Sequence, residues 1–335
     1  MSTSMSAPDV LRQNRIGNTD VWVSQLGYGA SALGNLYTAM EDDEPAGIID
    51  EGWRQGVRYF DVAPHYGLGL AEKRLGAQLC KRSGFTLSTK VGRVLLPNDA
   101  PSGKDSDIFD VPDTHVREWN FTAAGIRRSL EDSLERLGLD RIDIALVHDP
   151  DDHFELARDH AFPELARLRD EGLIGAVGVG MNQWQMPAEF VRDCDIDVVL
   201  VAGRYTLLDQ SAAEVLLPAC EANDVSVIAA AVYNSGILAT HASNPDARFN
   251  YEPAAPALHA RLDRIRGVCE DFGVTIPQAA LQFPLQHPVV RSVLVGARSV
   301  DEIRSNCELM KKPVYQDFWN CLLDSNLIGP AWVPA

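Results

Sequence analysis

Hydrophobic positions in this chain alternate between short apolar runs and longer amphipathic stretches. The runs end in a polar residue or a glycine, a pattern typical of buried parallel strands, and the amphipathic stretches have the spacing of surface helices. The predicted strand–helix cycles are residues 23–28 with 44–55, 57–62 with 71–81, 85–91 with 122–137, 141–148 with 161–171, 175–180 with 184–192, 197–201 with 211–223, 225–230 with 255–272, and 290–295 with 300–309.

Eight cycles with no linker-like break between them favour one closed barrel over a doubly wound sheet with a second domain. Before the first cycle, residues 15–27 alternate apolar and polar around a Gly-Asn pair, which predicts a short hairpin. We therefore predict an α/β fold, a (β/α)8 TIM barrel with an N-terminal β-hairpin. It forms a single domain over residues 15–335, after a disordered or extended segment at residues 1–14.

The helix at residues 122–137 has the best-marked ends. Thr122 can cap its first N–H groups, and Gly138 can end it. Two connections, residues 92–121 and 233–253, are long and follow predicted strands, so both lie on the face of the barrel where ligands bind. We expect these two loops to form pocket walls and to set specificity.

Charge and composition narrow the classes of partner. The 335 residues carry a net charge of −17, which argues against nucleic acid or an anionic membrane as partners. We find no leader-like start and no apolar stretch of membrane-spanning length, and the six cysteines contain no C-x-x-C pair. We expect a cytoplasmic protein with reduced thiols and a small-molecule substrate; the oligomeric state stays open.

Polar residues end three of the predicted strands. Asp61, Lys90 and His148 lie at strand ends that open on the ligand face of a barrel, and Tyr66 follows Asp61 by five residues. Strand alternation places His148 on the same side as Leu146, which points into the barrel. Each residue alone also has a purely structural explanation, such as capping a turn or filling the core, but their combination favours catalysis.

These four residue types can together move a proton. A tyrosine hydroxyl titrates near pH ~10, so it is a poor base until a cation stabilises the phenolate. Lys90 is the candidate cation, Asp61 would keep Lys90 charged and oriented, and His148 would donate to a substrate oxygen. We expect Lys90 and Asp61 to lower the pKa of Tyr66.

The same residues belong to longer motifs. The motifs are Asp61-x-Ala-x-x-Tyr66-Gly, Ser88-Thr-Lys90 and Val147-His148-Asp-Pro, and residues 129–143 form a further one. With these motifs, the chain resembles the aldo-keto reductases from residue 15 to residue 306. The resemblance implies direct hydride transfer with NAD(P), without metal, and a catalytic tetrad of Tyr66, Asp61, Lys90 and His148.

By the same resemblance, Asn182 and Tyr205 would hold the nicotinamide. Asn182 is retained, but the serine that the family places before it is absent, as is a glutamine expected near Ala202. Tyr205 would pack on the nicotinamide ring.

The segment after the last strand would hold the adenosine end of the cofactor through Gly296, Arg298, Glu302 and Asn306. Glu302 stands where NADP-preferring members have an arginine. A carboxylate there would repel a 2′-phosphate and accept from a 2′-hydroxyl, which implies that NAD is preferred. Arg298 stays open as an alternative phosphate ligand.

Residues 31–37, 63–70 and 202–210 resemble the branch of the family that contains aldose 1-dehydrogenases. This implies oxidation of the C1 hydroxyl of an aldose of the L-fucose, L-galactose or D-threo-aldose type to the aldonolactone, with Tyr66 as the base. Pyridoxal 4-dehydrogenase and a general aldehyde or ketone reductase are the alternatives within the family. The candidate substrate residues are Tyr37, His65, Trp119 and Asn120.

Features of three other classes of protein also occur in the sequence. Gly27-x-Gly29 follows a strand as in a Rossmann dehydrogenase, but the segment is not G-x-G-x-x-G. Lys90 could form a Schiff base, as in a barrel aldolase. A non-catalytic cofactor-binding sensor subunit would also keep the fold.

Overall fold

Eight parallel strands close into a barrel in the computed structural model, which describes residues 12–250 and 252–329. The barrel strands follow chain order and the last pairs with the first, so the predicted (β/α)8 fold is confirmed and a doubly wound sheet is excluded. The strands are β1 (Gln13–Arg15), β2 (Trp22–Ser24), β3 (Leu26–Gly29), β4 (Tyr59–Asp61), β5 (Thr86–Val91), β6 (Arg93–Pro97), β7 (His115–Trp119), β8 (Ile142–His148), β9 (Ile174–Met181), β10 (Val198–Ala202), β11 (Ser226–Ala230), β12 (Arg248–Phe249), β13 (Glu252–Pro253) and β14 (Val290–Val295); β3, β4, β5, β8, β9, β10, β11 and β14 form the barrel.

Helices cover the outside of the barrel. They are α1 (Glu44–Gln55), α2 (Leu70–Leu79), α3 (Ala123–Leu137), α4 (Phe154–Leu156), α5 (Phe162–Asp170), α6 (Gln185–Asp193), α7 (Leu216–Ala222), α8 (Pro256–Phe272), α9 (Ile276–Gln282), α10 (Val300–Lys311) and α11 (Gln316–Asp324). No helix in the described part of the chain is long and apolar enough to cross a membrane.

Local signals set the ends of α3 as predicted. The Thr122 hydroxyl accepts a hydrogen bond from the Gly125 amide at 3.1 Å. Gly138 ends the helix in the left-handed conformation, at φ 66°, where glycine pays no steric cost. The helix buries Ile126 and Leu130 against the barrel, so the apolar stripe decides which face turns inward.

The two faces of each strand have different neighbours. The inward side chains, such as Tyr59, Leu146 and Ile228, form a core inside the barrel that also takes up Ile16 and Val23 of the β1–β2 hairpin. The hairpin thus closes the amino-terminal end of the barrel, while the carboxyl-terminal end stays available for polar side chains.

The N-terminal region differs from prediction in its boundaries. The hairpin is confirmed, but β1 begins at Gln13, inside the segment predicted to be extended or disordered, and residues 1–11 of that segment lie outside the described residues. The predicted strand 23–28 is divided at Gln25 between the hairpin strand β2 and the barrel strand β3. One apolar run therefore serves two sheets, which its hydrophobicity alone does not distinguish.

The structure also differs from the prediction in segments whose hydrophobic residues show no clear periodic spacing. The connection 92–121 contains the antiparallel pair β6–β7, and the predicted helix 211–223 begins only at Leu216. The helices α9 and α11 were not predicted. Every residue of α9 is buried, so its sequence shows no amphipathic alternation.

Candidate active site

Three strand ends bring the predicted catalytic side chains together. Asp61 ends β4, Lys90 lies one residue before the end of β5, and His148 ends β8. All three are buried and, with Tyr66, line a cavity of about 400 Å³. The juxtaposition expected from the positions of these residues along the chain is therefore present in the structure.

A buried ion pair anchors the site. Lys90 Nζ donates to Asp61 Oδ2 at 2.7 Å and to the Val62 carbonyl oxygen at 3.1 Å. Ser88 Oγ donates to the other carboxylate oxygen of Asp61 at 2.7 Å, and lies 2.9 Å from the Tyr59 hydroxyl. Both carboxylate oxygens are thus satisfied by residues of β5.

This ion pair determines the charge of Lys90. Burial by itself lowers the pKa of Lys90, but the attraction of Asp61 and Tyr66 outweighs burial and holds the pKa above its usual value. A protonated lysine is a poor nucleophile, so the geometry disfavours a Schiff-base aldolase.

Tyr66 lies in the loop between β4 and α2, with its ring centroid 4.7 Å from Lys90 Nζ. Burial raises the pKa of Tyr66; Lys90 opposes this, and the charge of Asp61 adds to it, so the pKa lies above its usual value. Lys90 acts in the expected direction, but the expectation of a net lowering was wrong because desolvation of the phenolate is the larger effect. Tyr66 is therefore a neutral hydrogen-bond donor around neutral pH.

Two glycines seat the loop that carries Tyr66. Gly67 adopts φ +62°, and a Cβ added there would lie 2.3 Å from the Gly34 carbonyl oxygen. A Cβ on Gly34 would lie 2.6 Å from the carbonyl carbon of Tyr66. Because side chains cannot fit between these two backbone segments, both positions need glycine for Tyr66 to reach the cavity.

His148 is a neutral imidazole in this environment. Burial, together with the nearby cations Arg93 and Lys90, places its pKa well below the usual value. Its Nε2 lies 3.5 Å from Asp149 Oδ2, and that carboxylate pairs with Arg93 at 2.5 Å. Among the described residues, the buried Nδ1 of His148 has no hydrogen-bond partner, while the His148 side chain as a whole lines the cavity.

Two of the four candidate substrate residues reach the cavity. His65 lies 5.8 Å from the His148 ring between centroids, and burial lowers its pKa to about 3. Tyr37 also lines the cavity, with 61% of its surface exposed. The structure thus brings a second neutral imidazole and an aromatic ring to the site.

The other two substrate candidates, Trp119 and Asn120, do not line the cavity within the described chain. Trp119 ends β7 and packs against the Arg93 guanidinium, 4.2 Å from its ring centroid. Asn120 Oδ1 accepts from the Thr122 hydroxyl at 2.6 Å, beside the start of α3. Local packing and capping occupy these side chains.

Only one of the two residues predicted to hold the nicotinamide end of a cofactor lines the cavity. Asn182 lines the cavity, directly after β9. Tyr205 does not line the cavity; it is buried with its ring centroid 5.3 Å from that of Phe283. The chain turns after β10, and this turn directs Tyr205 into the core between the barrel and its outer layer.

The residues predicted for the adenosine end cluster around the start of α10. Gly296 lines the cavity, and Asn306 Oδ1 accepts from the Tyr233 hydroxyl at 2.7 Å. Ser299 caps the helix by accepting from the Glu302 amide at 3.1 Å, and Glu302 Oε2 accepts from the Arg298 amide at 2.7 Å. Arg298 itself points to the loop after β3.

Sequence reasoning assigned no role to several residues around the tetrad. Ser88 lies two residues before Lys90, so the strand period could have placed it on the same face. Phe109 packs 6.0 Å from the Tyr66 ring between centroids, but it comes from a loop whose path has no sequence signal. Ala231, Asn234 and Ser235 line the cavity with positive φ angles of 52°, 44° and 57°.

Fold and site together define a barrel protein that can exchange a proton at a tyrosine hydroxyl held beside a lysine–aspartate pair and a neutral histidine. Comparison with known proteins agrees with this class. The model of the Aldo/keto reductase family matches residues 25–324. The chain therefore belongs to the aldo/keto reductase family, a family of oxidoreductases.

Individual relatives cover nearly the whole chain. D-threo-aldose 1-dehydrogenase from a Pseudomonas species is 46% identical over 312 residues, covering 91% of this chain and 95% of that protein. Pyridoxal 4-dehydrogenase from Microbacterium luteolum is 35% identical over 334 residues, covering 94% and 97%. The solved holo form of an aldo-keto reductase from Bacillus halodurans superimposes with a TM-score of 0.76 at 25% identity, covering 95% and 97%.

Proposed function

We propose that this protein is an aldose 1-dehydrogenase that uses a nicotinamide nucleotide. Its substrate would be an aldose of the L-fucose, L-galactose or D-threo-aldose type, oxidised at C1 to the aldonolactone. The observation that carries the proposal is the meeting of Tyr66, Lys90, Asp61 and His148 in one cavity. Similarity to D-threo-aldose 1-dehydrogenase along nearly the whole chain supports the substrate class.

The residues around the cavity fit a dinucleotide. Gly29, Gly180 and Gly296 line it, and none of them carries a side chain over its backbone. A flat ring can approach the backbone at such positions. At the other end, Gly296 lines the cavity just before α10, whose first turn carries Glu302.

A nicotinamide nucleotide bound in this cavity would supply the hydride acceptor for C1 of the sugar. Tyr66 takes the proton of the C1 hydroxyl and later releases it to solvent, so that the C1 oxygen becomes the lactone carbonyl. Lys90 stabilises the phenolate form of Tyr66. His148, a neutral imidazole that lines the cavity, binds the C1 oxygen and aligns it with Tyr66.

We further propose that NAD is preferred over NADP. The Glu302 carboxylate lies in the first turn of α10, where it would repel a 2′-phosphate and accept from a 2′-hydroxyl. One of its oxygens already accepts from the Arg298 amide, which holds the carboxylate in place. The kcat/KM values for the two nucleotides test this proposal, and an equal or better value with NADP would contradict it.

Pyridoxal is the second candidate substrate. Tyr37, His65 and Phe109 form an aromatic wall of the cavity, which suits a flat pyridine ring. The 35% identity to pyridoxal 4-dehydrogenase supports the same alternative.

One experiment separates these functions. NADH formation is measured with L-fucose, L-galactose, D-arabinose, D-galactose and pyridoxal, for the wild-type protein and for Tyr66→Phe. We expect turnover with an aldose and a loss of roughly 10²–10⁴-fold in Tyr66→Phe. Tyr315→Phe, which removes a hydroxyl from a tyrosine 74% exposed, is the matched control.

Each other outcome has a distinct meaning. Turnover with pyridoxal alone would replace the aldose proposal with the second candidate. Near-normal turnover in Tyr66→Phe would contradict the mechanism. Nucleotide binding without turnover of any aldose, pyridoxal or simple aldehyde would favour a sensor subunit.

We also propose a cytoplasmic location, without nucleic-acid or membrane partners. The net charge of −17 supports the absence of polyanionic partners. The six cysteines are free thiols, as expected for a reducing compartment. Fractionation of the producing cells would test the location.

A further inference from the structure

Arg298 makes an unusual connection across the top of the barrel. It follows β14 by three residues, yet its guanidinium reaches the loop after β3. Nη1 donates to the Leu36 carbonyl oxygen at 2.6 Å, and Nη2 donates to the Thr38 carbonyl oxygen at 2.9 Å. Within residues 12–250 and 252–329 no carboxylate lies within ion-pair distance of Arg298. Its charge is therefore directed at two backbone oxygens.

The backbone at both ends of this connection is also held. The Arg298 amide donates to Glu302 Oε2 at 2.7 Å, which fixes the main chain from which the side chain extends. Between the two acceptors lies Tyr37, at φ +64°. A non-glycine residue in this conformation is strained, so the loop needs external bonds to keep its shape.

The held loop supports a second one. The Tyr37 amide donates to the Ile108 carbonyl oxygen at 2.8 Å, and Leu36 forms an antiparallel bridge with Phe109. The Asp110 amide donates to the Asn35 carbonyl oxygen at 2.9 Å. The position of residues 108–110 thus depends on the loop that Arg298 holds.

Both loops face the reacting centre. Leu36, Tyr37, Ile108 and Phe109 line the cavity, and Phe109 packs against the ring of Tyr66. Leu36 and Phe109 also belong to a small apolar cluster that includes Tyr66. A displacement of residues 36–38 would therefore move the wall opposite the catalytic tyrosine.

We infer that Arg298 is a positioning residue of the substrate cavity. It holds residues 36–38 through two carbonyl oxygens, and through them it places Tyr37 at the cavity and Phe109 beside Tyr66. The planar guanidinium can reach two acceptors at once, which a lysine cannot do in the same way. Arg298 then serves the substrate wall and does not bind a cofactor phosphate. The kinetic part of this inference rests on the proposed function.

Hydrogen exchange tests the structural part without any turnover. The full-length protein is compared with Arg298→Gln by mass spectrometry of a peptide that contains the Tyr37 amide. We expect exchange of this peptide to be at least about tenfold faster in the variant, because its hydrogen-bonded loop loses two supports. Arg264→Gln, which removes a bond from an outer helix to the Ser325 carbonyl oxygen, is the matched control and should change nothing at Tyr37.

Kinetics and nucleotide binding test the role. With the best aldose, Arg298→Gln should raise KM about tenfold and leave kcat within about twofold, while Arg298→Lys, which keeps the charge but places its donors on a single nitrogen, should recover part of the KM. Dissociation constants for NADH and NADPH, measured by tryptophan fluorescence, should stay unchanged.

Two results would overturn the inference. One is unchanged exchange at Tyr37 in Arg298→Gln, or in Arg298→Met, which removes every donor, if the glutamine variant does not fold. The other is a selective loss of NADPH affinity with an unchanged KM for the sugar, which would identify Arg298 as a phosphate ligand. If the wild-type protein oxidises no aldose, the proposed function fails, and the exchange result decides on Arg298 by itself.

Discussion

Lys90→Met should lower the free energy of unfolding of this protein. A second substitution, at Asp61, should restore most of that free energy without restoring activity. The two charged groups lie 2.7 Å apart, with 3% and 5% of their side-chain surfaces exposed. At an effective dielectric constant of about 20, their attraction is about 6 kcal/mol. The net cost of removing one partner is smaller, about 3–5 kcal/mol, and arises mostly from the unpaired charge left behind.

The double variant Asp61→Asn/Lys90→Met removes that unpaired charge. We expect its free energy of unfolding to lie within about 2 kcal/mol of the wild-type value, well above either single variant. Turnover should remain lost in all three variants, because each lacks the cation or its anchor beside Tyr66. Urea unfolding followed by circular dichroism gives the free energies, and NADH formation gives the turnover.

A surface pair provides the control for this cycle. Arg128 and Asp132 lie 3.6 Å apart on α3, with 55% and 33% exposure, and removing either should cost less than about 1 kcal/mol. The reasoning would be refuted if each substitution at Lys90 and Asp61 lowered the free energy of unfolding no more than this control does, and if the two losses were additive in the double variant. Full activity in Lys90→Met would refute the catalytic role of the lysine.

Two further predictions follow from the geometry of Tyr66. Gly34→Ala should lower kcat by at least about tenfold and destabilise the fold by roughly 1–3 kcal/mol, because its Cβ would lie 2.6 Å from the Tyr66 backbone. Gly267→Ala, on the exposed side of α8 where an added Cβ meets nothing within 4 Å, controls for the loss of a glycine, and normal kcat in Gly34→Ala would contradict the packing argument. For sugar oxidation, kcat/KM should rise with pH into the alkaline range, because burial raises the pKa of Tyr66 and the phenolate form increases with pH. His148 and His65, whose pKa values are lowered by burial, stay neutral over this pH range. An inflection of the kcat/KM profile near pH ~6.5 would therefore contradict the buried environment of these histidines.

Sequence analysis predicted the elements of the barrel because their signals are periodic and local. The order of strands and helices, the cap at Thr122 and the placing of Asp61, Lys90 and His148 at strand ends all follow from residue spacing. In a parallel barrel every strand end opens on the same face. Residues far apart in the chain can therefore be assigned to one cavity from their positions at strand ends alone.

The directions of loop side chains could not be predicted from the sequence. Trp119, Asn120 and Tyr205 were expected to contact ligands, but packing and capping direct them away from the cavity. No periodicity indicates which way a loop side chain turns, because its direction depends on contacts with distant segments.

The sequence by itself determined the barrel and the set of candidate catalytic groups. Only the tertiary structure decided the protonation of Tyr66, since burial outweighs the effect of Lys90. It also decided that Arg298 bonds to Leu36 and Thr38, an association across most of the chain. Burial and long-range hydrogen bonds are properties of the packed molecule, because each depends on atoms that come together only when the barrel closes.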